Sequence, residues 1–281
     1  MKKPPIIVIK NKLGTTIPAS LLHCLPEKWE KIGDVLIVKL DKNLLKYKES
    51  IGKIYAEVLQ IKTVLHDKGG IEGIYRKPCV EIVYGLPDTQ TIHKENNVLY
   101  KLDPQQIMFS SGNMDERKRM ATISKSDEVV VDLFAGIGYF SLPLAVYSRP
   151  LKIYACEINP VSYNFLCDNI VLNHVTELVS PLLGDNQQTA PKAIADRIIM
   201  GYLHETYYFL PLAFDCLKKQ GGIIHYHTLS SKKNSVEDIF HSVNKIGVSH
   251  QQYLTLISNN AIKSYAPGIN HIVLDIRVES K

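Results

Sequence analysis

Three acidic residues and two glycines are spaced so that they could hold a nucleoside. Asp132 opens a short segment that contains Gly136 and Gly138, while Glu157 and Asp185 each follow an apolar run farther along the chain. Glycine lets a backbone turn sharply and approach a ligand where a side chain would block it. An acid that ends the second strand of such a unit can accept hydrogen bonds from both ribose hydroxyls, and Asp185 could accept the amine of an adenine. The pattern predicts a site for a nucleoside-containing ligand.

The glycine segment alone has a plainer interpretation. It reads GxG and not the full GxGxxG, so it could be only a tight structural turn. A nicotinamide dehydrogenase would normally show GxGxxG near the start of its domain and a recognisable hydride-transfer partner, which disfavours that class. Taken together with Glu157 and Asp185 in order, the segment resembles class I S-adenosylmethionine-dependent enzymes. That resemblance implies S-adenosyl-L-methionine as the cofactor.

The elements that must position these residues alternate between strand and helix patterns from Val129 onward, which is typical of parallel βαβ units. A further strand ends just before Asp185. The other predicted strands cover 129–131, 152–156, 196–200, 223–227 and 271–278, and the predicted helices cover 139–147, 161–173 and 209–219. The sequence therefore predicts an α/β fold: a class I, Rossmann-like catalytic domain over residues 106–281, with a smaller N-terminal α+β domain over residues 1–105.

The predicted N-terminal domain carries no obvious chemistry of its own. Residues 6–9 and 35–40 are short β-branched runs typical of strands, 44–62 begins with a helix-like pattern, and 80–85 and 98–102 are further predicted strands. Its charge is its distinctive feature, because residues 1–110 contain 17 Lys and Arg against 12 Asp and Glu, whereas residues 111–281 contain 16 of each. A basic domain beside a neutral one favours a polyanion-binding module, although a solvated lysine-rich surface would look the same.

Composition narrows the class of protein further. The five cysteines are dispersed without a CxxC pair, which predicts reduced thiols. His225 and His227 alternate within a predicted strand, and a structural role is the preferred interpretation over a zinc site, so we expect no metal. Apolar runs are too short for a membrane span or a secretory signal, so we expect a cytoplasmic protein with no membrane partner.

Three further elements narrow the resemblance to one family. Residues 109–117, FSSGNMDER, resemble the FSxGNxxER element of the archaeal wybutosine-synthesis transferases that move an aminocarboxypropyl group. Related tRNA guanine-N-1 methyltransferases usually carry FSPR there, with a catalytic arginine where this chain has Gly112. They also carry NLP after the fourth strand, where this chain has Met200-Gly201-Tyr202. The KSYAPG element at 263–268 is similar to both groups. Both departures favour the transferase family; the alternative is a methyltransferase acting on the guanine at the same position of the tRNA.

The resemblance implies a reaction and a set of residues. The 3-amino-3-carboxypropyl group of S-adenosylmethionine would be transferred through its γ-carbon to carbon 7 of 4-demethylwyosine in tRNA(Phe), beside the anticodon, with methylthioadenosine released. The implied partner is the anticodon loop of tRNA(Phe). Basic residues of the first domain, together with Arg117, Lys118 and Arg119, are the implied contacts to this tRNA. We expect the protein to be a monomer. Tyr202, His204 and Glu205 are the catalytic candidates. The implied cofactor-binding residues are Ser110, Arg117, Asp132, Phe134, Gly136, Gly138, Glu157, Ile158, Asp185 and Asn186.

Overall fold

The computed structural model of the chain describes residues 3–203 and 205–280. The chain divides into two compact units, Met1–Ser111 and Gly112–Lys281. The domain boundary expected after residue 105 falls inside the first of these units. That the first domain binds tRNA and the second carries out catalysis stays a prediction. His204, one of the catalytic candidates, lies outside the described residues.

The first unit is an α+β arrangement built on a four-stranded sheet in the order β1-β2-β3-β4, with a separate β5-β6 hairpin. Strands β2 and β3 are parallel, and the other neighbours are antiparallel. Its elements are α1 (Pro5–Leu13), β1 (Glu30–Ile32), β2 (Val35–Val38), α2 (Lys48–Leu59), β3 (Thr63–Glu72), β4 (Lys77–Gly85), β5 (Thr91–Glu95) and β6 (Val98–Leu102), with 3₁₀ turns at Ala19–Cys24 and Lys42–Tyr47.

The prediction of a strand over residues 6–9 is wrong, because these residues lie in helix α1. Pro5 occupies the first helical position, where its fixed φ favours a helix and its missing N–H is not needed. Ile9 and Leu13, one helical turn apart, are fully buried and pack into the core of this unit. Burial at helical spacing outweighs the β-branched character of the short run.

The second unit is a seven-stranded sheet in the order β12-β13-β11-β10-β7-β8-β9. The five strands from β11 to β9 are parallel, and β13 and β12 are antiparallel additions at one edge. Its elements are α3 (Met114–Met120), β7 (Val129–Asp132), α4 (Ser141–Tyr147), β8 (Lys152–Glu157), α5 (Pro160–Leu172), β9 (Val179–Leu183), α6 (Asn186–Thr189), β10 (Arg197–Met200), α7 (Leu210–Cys216), β11 (Gly222–Ser231), α8 (Val236–Ser249), β12 (Gln252–Ala266) and β13 (Ile269–Ser280).

The order of the strands determines where a ligand can bind. The chain runs outward from β7 to β8 and β9, and then returns to place β10 on the other side of β7. Connections therefore diverge between β7 and β10, and such a switch point opens a crevice at the carboxyl ends of the strands. The glycine turn after β7 and Gly201 after β10 stand at this crevice. Among the described residues, no helix is long and apolar enough to cross a membrane.

Candidate active site

Asp132, at the end of β7, holds the turn that follows it. Its side chain is fully buried. One carboxylate oxygen accepts a hydrogen bond from the Phe134 amide at 3.2 Å and the other accepts one from the Ser141 hydroxyl at 2.7 Å. Burial raises the pKa of Asp132 to about 6, although both hydrogen bonds act to lower it. Asp132 thus connects the end of β7 to the start of α4 and fixes the path of the chain between them.

The two glycines of this turn have backbone conformations that favour glycine. Gly136 has φ +58° and Gly138 has φ +98°. A Cβ on Gly138 would lie 2.6 Å from the Leu142 Cγ, and one on Gly136 would overlap the Tyr139 ring. Both positions therefore need glycine for conformation and for space, so the turn is tightly packed against α4.

Glu157, at the end of β8, is hydrogen-bonded to this turn. Its Oε2 accepts from the Gly136 amide at 2.7 Å, and its Oε1 accepts from the Asn159 amide at 2.7 Å. Burial raises the pKa of Glu157, while amide hydrogen bonds from Asn159, Gly136 and Ile158 oppose that rise. Each carboxylate oxygen can accept more than one hydrogen bond. The structure thus brings Gly136 and Glu157 together, with acceptor capacity left for ribose hydroxyls.

Asp185 and Asn186 follow β9 and have different environments. Asp185 is exposed and caps the short helix α6 by accepting from the Gln187 amide at 2.9 Å. Asn186 is buried and donates its amide N–H to the Leu133 carbonyl at 2.9 Å, which attaches it to the turn after β7. Its Oδ1 is buried and accepts no hydrogen bond from any residue in the described part of the chain. A buried unpaired acceptor beside a glycine turn fits the amine of a purine.

Aromatic rings surround the end of β10. Tyr202 stacks on Phe134, with ring centroids 5.1 Å apart and planes inclined by 16°, and Phe209 packs edge-on against Phe134. Gly201 lies against a further ring, because a Cβ there would lie 2.9 Å from the Phe140 Cε2. Glu205 is exposed and has φ +56°. The predicted cofactor residue Phe134 and the predicted catalytic residue Tyr202 are therefore direct neighbours.

Arg117 and Ser110 lie in different units. Arg117, on α3, is only 2% exposed and is among the largest fully buried side chains described. Ser110 is half-buried near the end of the first unit, and Ile158, next to Glu157, is 46% exposed. The roles of these three residues toward a cofactor stay predictions.

A buried ion-pair network in the second unit was missed by sequence reasoning. The network consists of Glu116, Arg119, Glu128, Arg197, His225 and Asp275. Arg119 bridges Glu116 at 2.7 Å and Asp275 at 2.8 Å, which attaches α3 to strand β13. Burial acts to raise the pKa of Asp275, but hydrogen bonds from His225 and Ser258 and the charge of Arg119 lower it overall. One sequence signal could have revealed the network: an aspartate inside the apolar strand β13.

The chain matches two models of known protein families. A sequence model described as the TRM5/TYW2 methyltransferase domain matches residues 91–255, and one described as the TYW2 N-terminal domain matches residues 9–89. The chain belongs to the TRM5/TYW2 family. The family resemblance inferred from the FSSGNMDER, MGY and KSYAPG elements is therefore confirmed.

Individual members of the TRM5/TYW2 family cover the chain almost completely. A tRNA(Phe) (4-demethylwyosine(37)-C(7)) aminocarboxypropyltransferase of Pyrococcus horikoshii is 45% identical over 96% of both chains. The crystal structure of P. horikoshii TYW2 in complex with MeSAdo superposes with a TM-score of 0.89 at 41% identity, covering 98% of this chain and all of that one. A complex of aTrm5 with tRNALeu superposes with a TM-score of 0.82 at 27% identity, covering 99% of this chain and 79% of that one. The expected Rossmann-like fold of S-adenosylmethionine-dependent enzymes is confirmed by these neighbours.

In this member of the TRM5/TYW2 family, two of the diagnostic elements meet within the second unit. A Cβ on Gly112 would lie 2.8 Å from the Lys263 Cδ, so the aliphatic stem of Lys263 passes over the glycine. Gly112 belongs to the FSSGNMDER element and Lys263 to the KSYAPG element. The stem of Lys263 occupies the space into which a side chain at position 112 would begin.

Proposed function

We propose that this chain transfers the 3-amino-3-carboxypropyl group of S-adenosylmethionine to carbon 7 of 4-demethylwyosine in tRNA(Phe), next to the anticodon. The activity belongs to the biosynthesis of wybutosine derivatives. The observation that carries the proposal is the P. horikoshii aminocarboxypropyltransferase, which is 45% identical over nearly the full length of both chains. The glycine turn, Glu157 and the unpaired Asn186 acceptor support the proposal, since together they would suit a nucleoside.

S-adenosylmethionine fits the residues at the carboxyl ends of the parallel strands. Glu157 would accept hydrogen bonds from the ribose hydroxyls. Asn186 Oδ1, which is buried and has no hydrogen-bond partner in the described residues, would accept a hydrogen bond from the adenine amine. Asp185, the preceding residue, is a second candidate acceptor for this amine. Gly136 and Gly138, whose Cβ positions are filled by Tyr139 and Leu142, would keep the turn in the conformation that presents its backbone to the ligand.

The methionine part of S-adenosylmethionine needs a cation that binds its carboxylate and surrounding side chains that fix its orientation. Arg117 is the candidate for the carboxylate, because a guanidinium can bind it in bidentate fashion. Ser110 remains a candidate cofactor-binding residue because of the family resemblance. Phe134 and Ile158 would supply apolar contacts along the nucleoside. Asp132 contributes by holding the turn, since it is fully buried.

The reaction exchanges one bond for another. The bond between the γ-carbon and the sulfonium sulfur breaks, and its electron pair stays on sulfur, which leaves methylthioadenosine. A carbon–carbon bond forms between the γ-carbon and carbon 7 of the base, and carbon 7 loses its proton. Because the methyl and γ-carbons are bonded to the same sulfur, the product depends on which carbon faces the base.

The target base is expected to stack near the end of β10. Tyr202, already stacked on Phe134, is placed to present an aromatic surface to an unstacked nucleotide, as is usual in RNA recognition. His204 and Glu205 are candidates to accept the proton from carbon 7. We further propose that the enzyme works as a monomer in the cytoplasm and engages the anticodon loop of its tRNA.

Two labelled donors test the proposed reaction. The protein is incubated with tRNA(Phe) carrying 4-demethylwyosine and with S-adenosylmethionine labelled either on the carboxyl carbon or on the methyl carbon. We expect carboxyl label in the tRNA and release of methylthioadenosine. Absence of carboxyl label from this tRNA would overturn the proposal.

A second tRNA controls for the target base. The same tRNA(Phe) with an unmodified guanosine at that position should accept neither label, because it lacks the tricyclic ring and therefore carbon 7. Methyl label on this control, with S-adenosylhomocysteine released, would assign the guanine methyltransferase activity instead. Carboxyl label on it would show that the group is transferred to some other atom of the tRNA.

A further inference from the structure

The first unit contains a cavity of about 830 Å³ that the proposed chemistry does not use. It lies between the turn joining β1 to β2 and the β5–β6 hairpin, and its walls include Lys31, Asp34, Ile92, Lys94 and Lys101. The cavity is wide open to solvent, so it suits a group on the surface of a large ligand better than a small molecule that must be enclosed.

The two faces of the β5–β6 hairpin differ in character. The inward-facing residues Thr91, Glu95, Val98, Tyr100 and Leu102 are buried. On the other face, Ile92 is 51% exposed and lies directly opposite Lys101, while Lys94 is exposed and lies opposite Leu99. The hairpin thus presents Lys94 and Lys101 on either side of the exposed Ile92, so two ammonium groups stand on the face that lines the cavity.

The opposite wall of the cavity is hydrogen-bonded to the hairpin. The Gly33 amide donates to the His93 Nδ1 at 3.3 Å, and the Asp34 amide donates to the Thr91 hydroxyl at 3.1 Å. Gly33 has φ +56°, which forms the tight turn that places Lys31 beside the cavity. The two walls are therefore held together before any ligand arrives.

The charge of the cavity is positive. Three lysines and one acidic residue, Asp34, line the cavity. The Asp34 carboxylate lies 4.0 Å from the ammonium group of Lys62, which is not one of the lining residues. The cavity also lies in the part of the chain that holds the whole net charge, residues 1–110 with 17 Lys and Arg against 12 Asp and Glu. A site of this kind attracts phosphodiester groups and gains from the release of their counterions.

We propose that this cavity binds backbone phosphates of the tRNA substrate through Lys31, Lys94 and Lys101, away from the modified base. The inference rests on the proposed function for the identity of the RNA. Phosphate contacts hold the tRNA in position and carry no sequence information. The lysines therefore act on tRNA affinity and leave the chemical step unchanged.

A matched pair of triple variants tests the cavity. The test variant is Lys31→Gln, Lys94→Gln and Lys101→Gln; the control variant is Lys28→Gln, Lys42→Gln and Lys53→Gln, which removes the same charge from exposed lysines of the same unit. Binding of tRNA(Phe) is measured between about 50 and 200 mM salt. Each lost phosphate contact should lower the slope of log affinity against log salt by roughly 0.7 to 1.

We expect the test variant to lose two to three units of this slope, so that the wild type weakens roughly 30-fold more than the variant over that fourfold change in salt. The control variant should keep the wild-type slope within about half a unit, and both variants should keep the wild-type rate at saturating tRNA. Equal slopes for wild type and test variant, or an equal loss in both variants, would overturn the proposal.

Two further results separate the alternatives. Loss of AMP or inorganic phosphate binding in the test variant, with unchanged tRNA binding, would assign the cavity to a small phosphorylated ligand and overturn the tRNA assignment. If the wild type binds tRNA with the expected lysine dependence but transfers no group, the proposed reaction fails and the cavity assignment stands.

Discussion

At the scale of single residues, Glu157 connects the fold to the chemistry. Its two carboxylate oxygens accept the Gly136 and Asn159 amides at 2.7 Å each, so the same side chain that would hold the ribose also fixes the glycine turn. Burial raises the pKa of this carboxyl, and the amide hydrogen bonds limit the rise. The positions of its two carboxylate oxygens are therefore fixed before S-adenosylmethionine binds.

Glu157→Gln should weaken S-adenosylmethionine binding by roughly 10- to 100-fold, since hydrogen bonds to a charged group contribute about 1.5–3 kcal/mol. The glutamine keeps the shape, but it turns one acceptor into an NH₂ group that must face a backbone amide donor. Isothermal titration calorimetry measures the change. Glu177→Gln, at an exposed glutamate, is the control and should leave the affinity unchanged. Wild-type affinity in Glu157→Gln would remove Glu157 from the ribose site.

At the scale of elements, the turn between β7 and α4 needs glycine both for its backbone conformation and for the space beside it. Alanine variants of two glycines distinguish these two reasons. Gly136 has φ +58° and the Tyr139 ring against it, whereas Gly268 has φ +73° and open space around it. Gly268→Ala should cost about 1 kcal/mol through conformation alone. Gly136→Ala should cost more and should also weaken S-adenosylmethionine binding, because moving the ring disturbs the Gly136 amide that Glu157 holds.

Chemical denaturation and binding titrations on both variants check this prediction. Equal losses of unfolding free energy at the two glycines would show that the Tyr139 contact does not matter. Unchanged binding in Gly136→Ala would show that the turn tolerates a side chain.

The strand pair β11–β13 contains a buried pair of histidines whose titration should be visible in stability. The His227 Nδ1 lies 3.1 Å from the His271 Nε2, and both rings are buried. Burial lowers the pKa of His271 to about 4, with a contribution from Lys263, and burial lowers the pKa of His227 as well. The unfolded chain therefore binds protons below pH 6.5 that the folded chain does not, and stability falls as the pH falls from 6.5 toward 4.

Each such histidine contributes up to roughly 1.4 kcal/mol per pH unit over that window. Between pH 7 and pH 5 the wild type should lose at least about 1 kcal/mol more unfolding free energy than His271→Gln, as measured by urea denaturation. His23→Gln, at an exposed histidine, should match the wild type. Parallel pH profiles for wild type and His271→Gln would contradict the assigned burial of an uncharged ring.

Sequence patterns predicted the parallel strands of the second unit well and the edge of its sheet poorly. Strands β7, β8 and β10 were expected within one or two residues, because a fully buried strand is an apolar run that ends at a glycine or an acid. Strand β12 was missed because half of it is exposed, and Ser258, Asn259 and Asn260 interrupt its apolar pattern. In the first unit, the run at 6–9 was mistaken for a strand because four residues are too few to show a helical period.

Candidate site residues were predictable where a local motif marks them, and not where partners are distant in sequence. Gly136, Glu157 and Asn186 each follow a recognisable strand. The ion pair of Arg119 with Asp275 joins residues 156 positions apart, and that of Arg197 with Glu128 joins residues 69 positions apart. No periodicity in a single sequence encodes such pairs, since they depend on strand order.

At the scale of the whole molecule, charge and nucleoside chemistry are segregated along the chain. The first 110 residues hold the entire net charge of +5, while Gly136, Glu157 and Asn186, which we propose for the nucleoside site, belong to the neutral remainder. The two substrates should therefore respond differently to salt. Phosphate contacts weaken as salt rises, whereas the hydrogen bonds that Glu157 and Asn186 would accept from the nucleoside are in a partly buried site and are screened little.

Steady-state kinetics at about 50 and 200 mM salt should show this separation. We expect the KM for tRNA to rise more than roughly tenfold, because three or more phosphate contacts each lose about threefold in that range. The KM for S-adenosylmethionine should change less than about twofold, since its binding does not rely on exposed charge. A salt-independent KM for tRNA would mean that the basic first unit does not hold the RNA. A parallel rise in both constants would mean that salt acts on the fold, because only a shared structural change would affect two sites of such different chemistry.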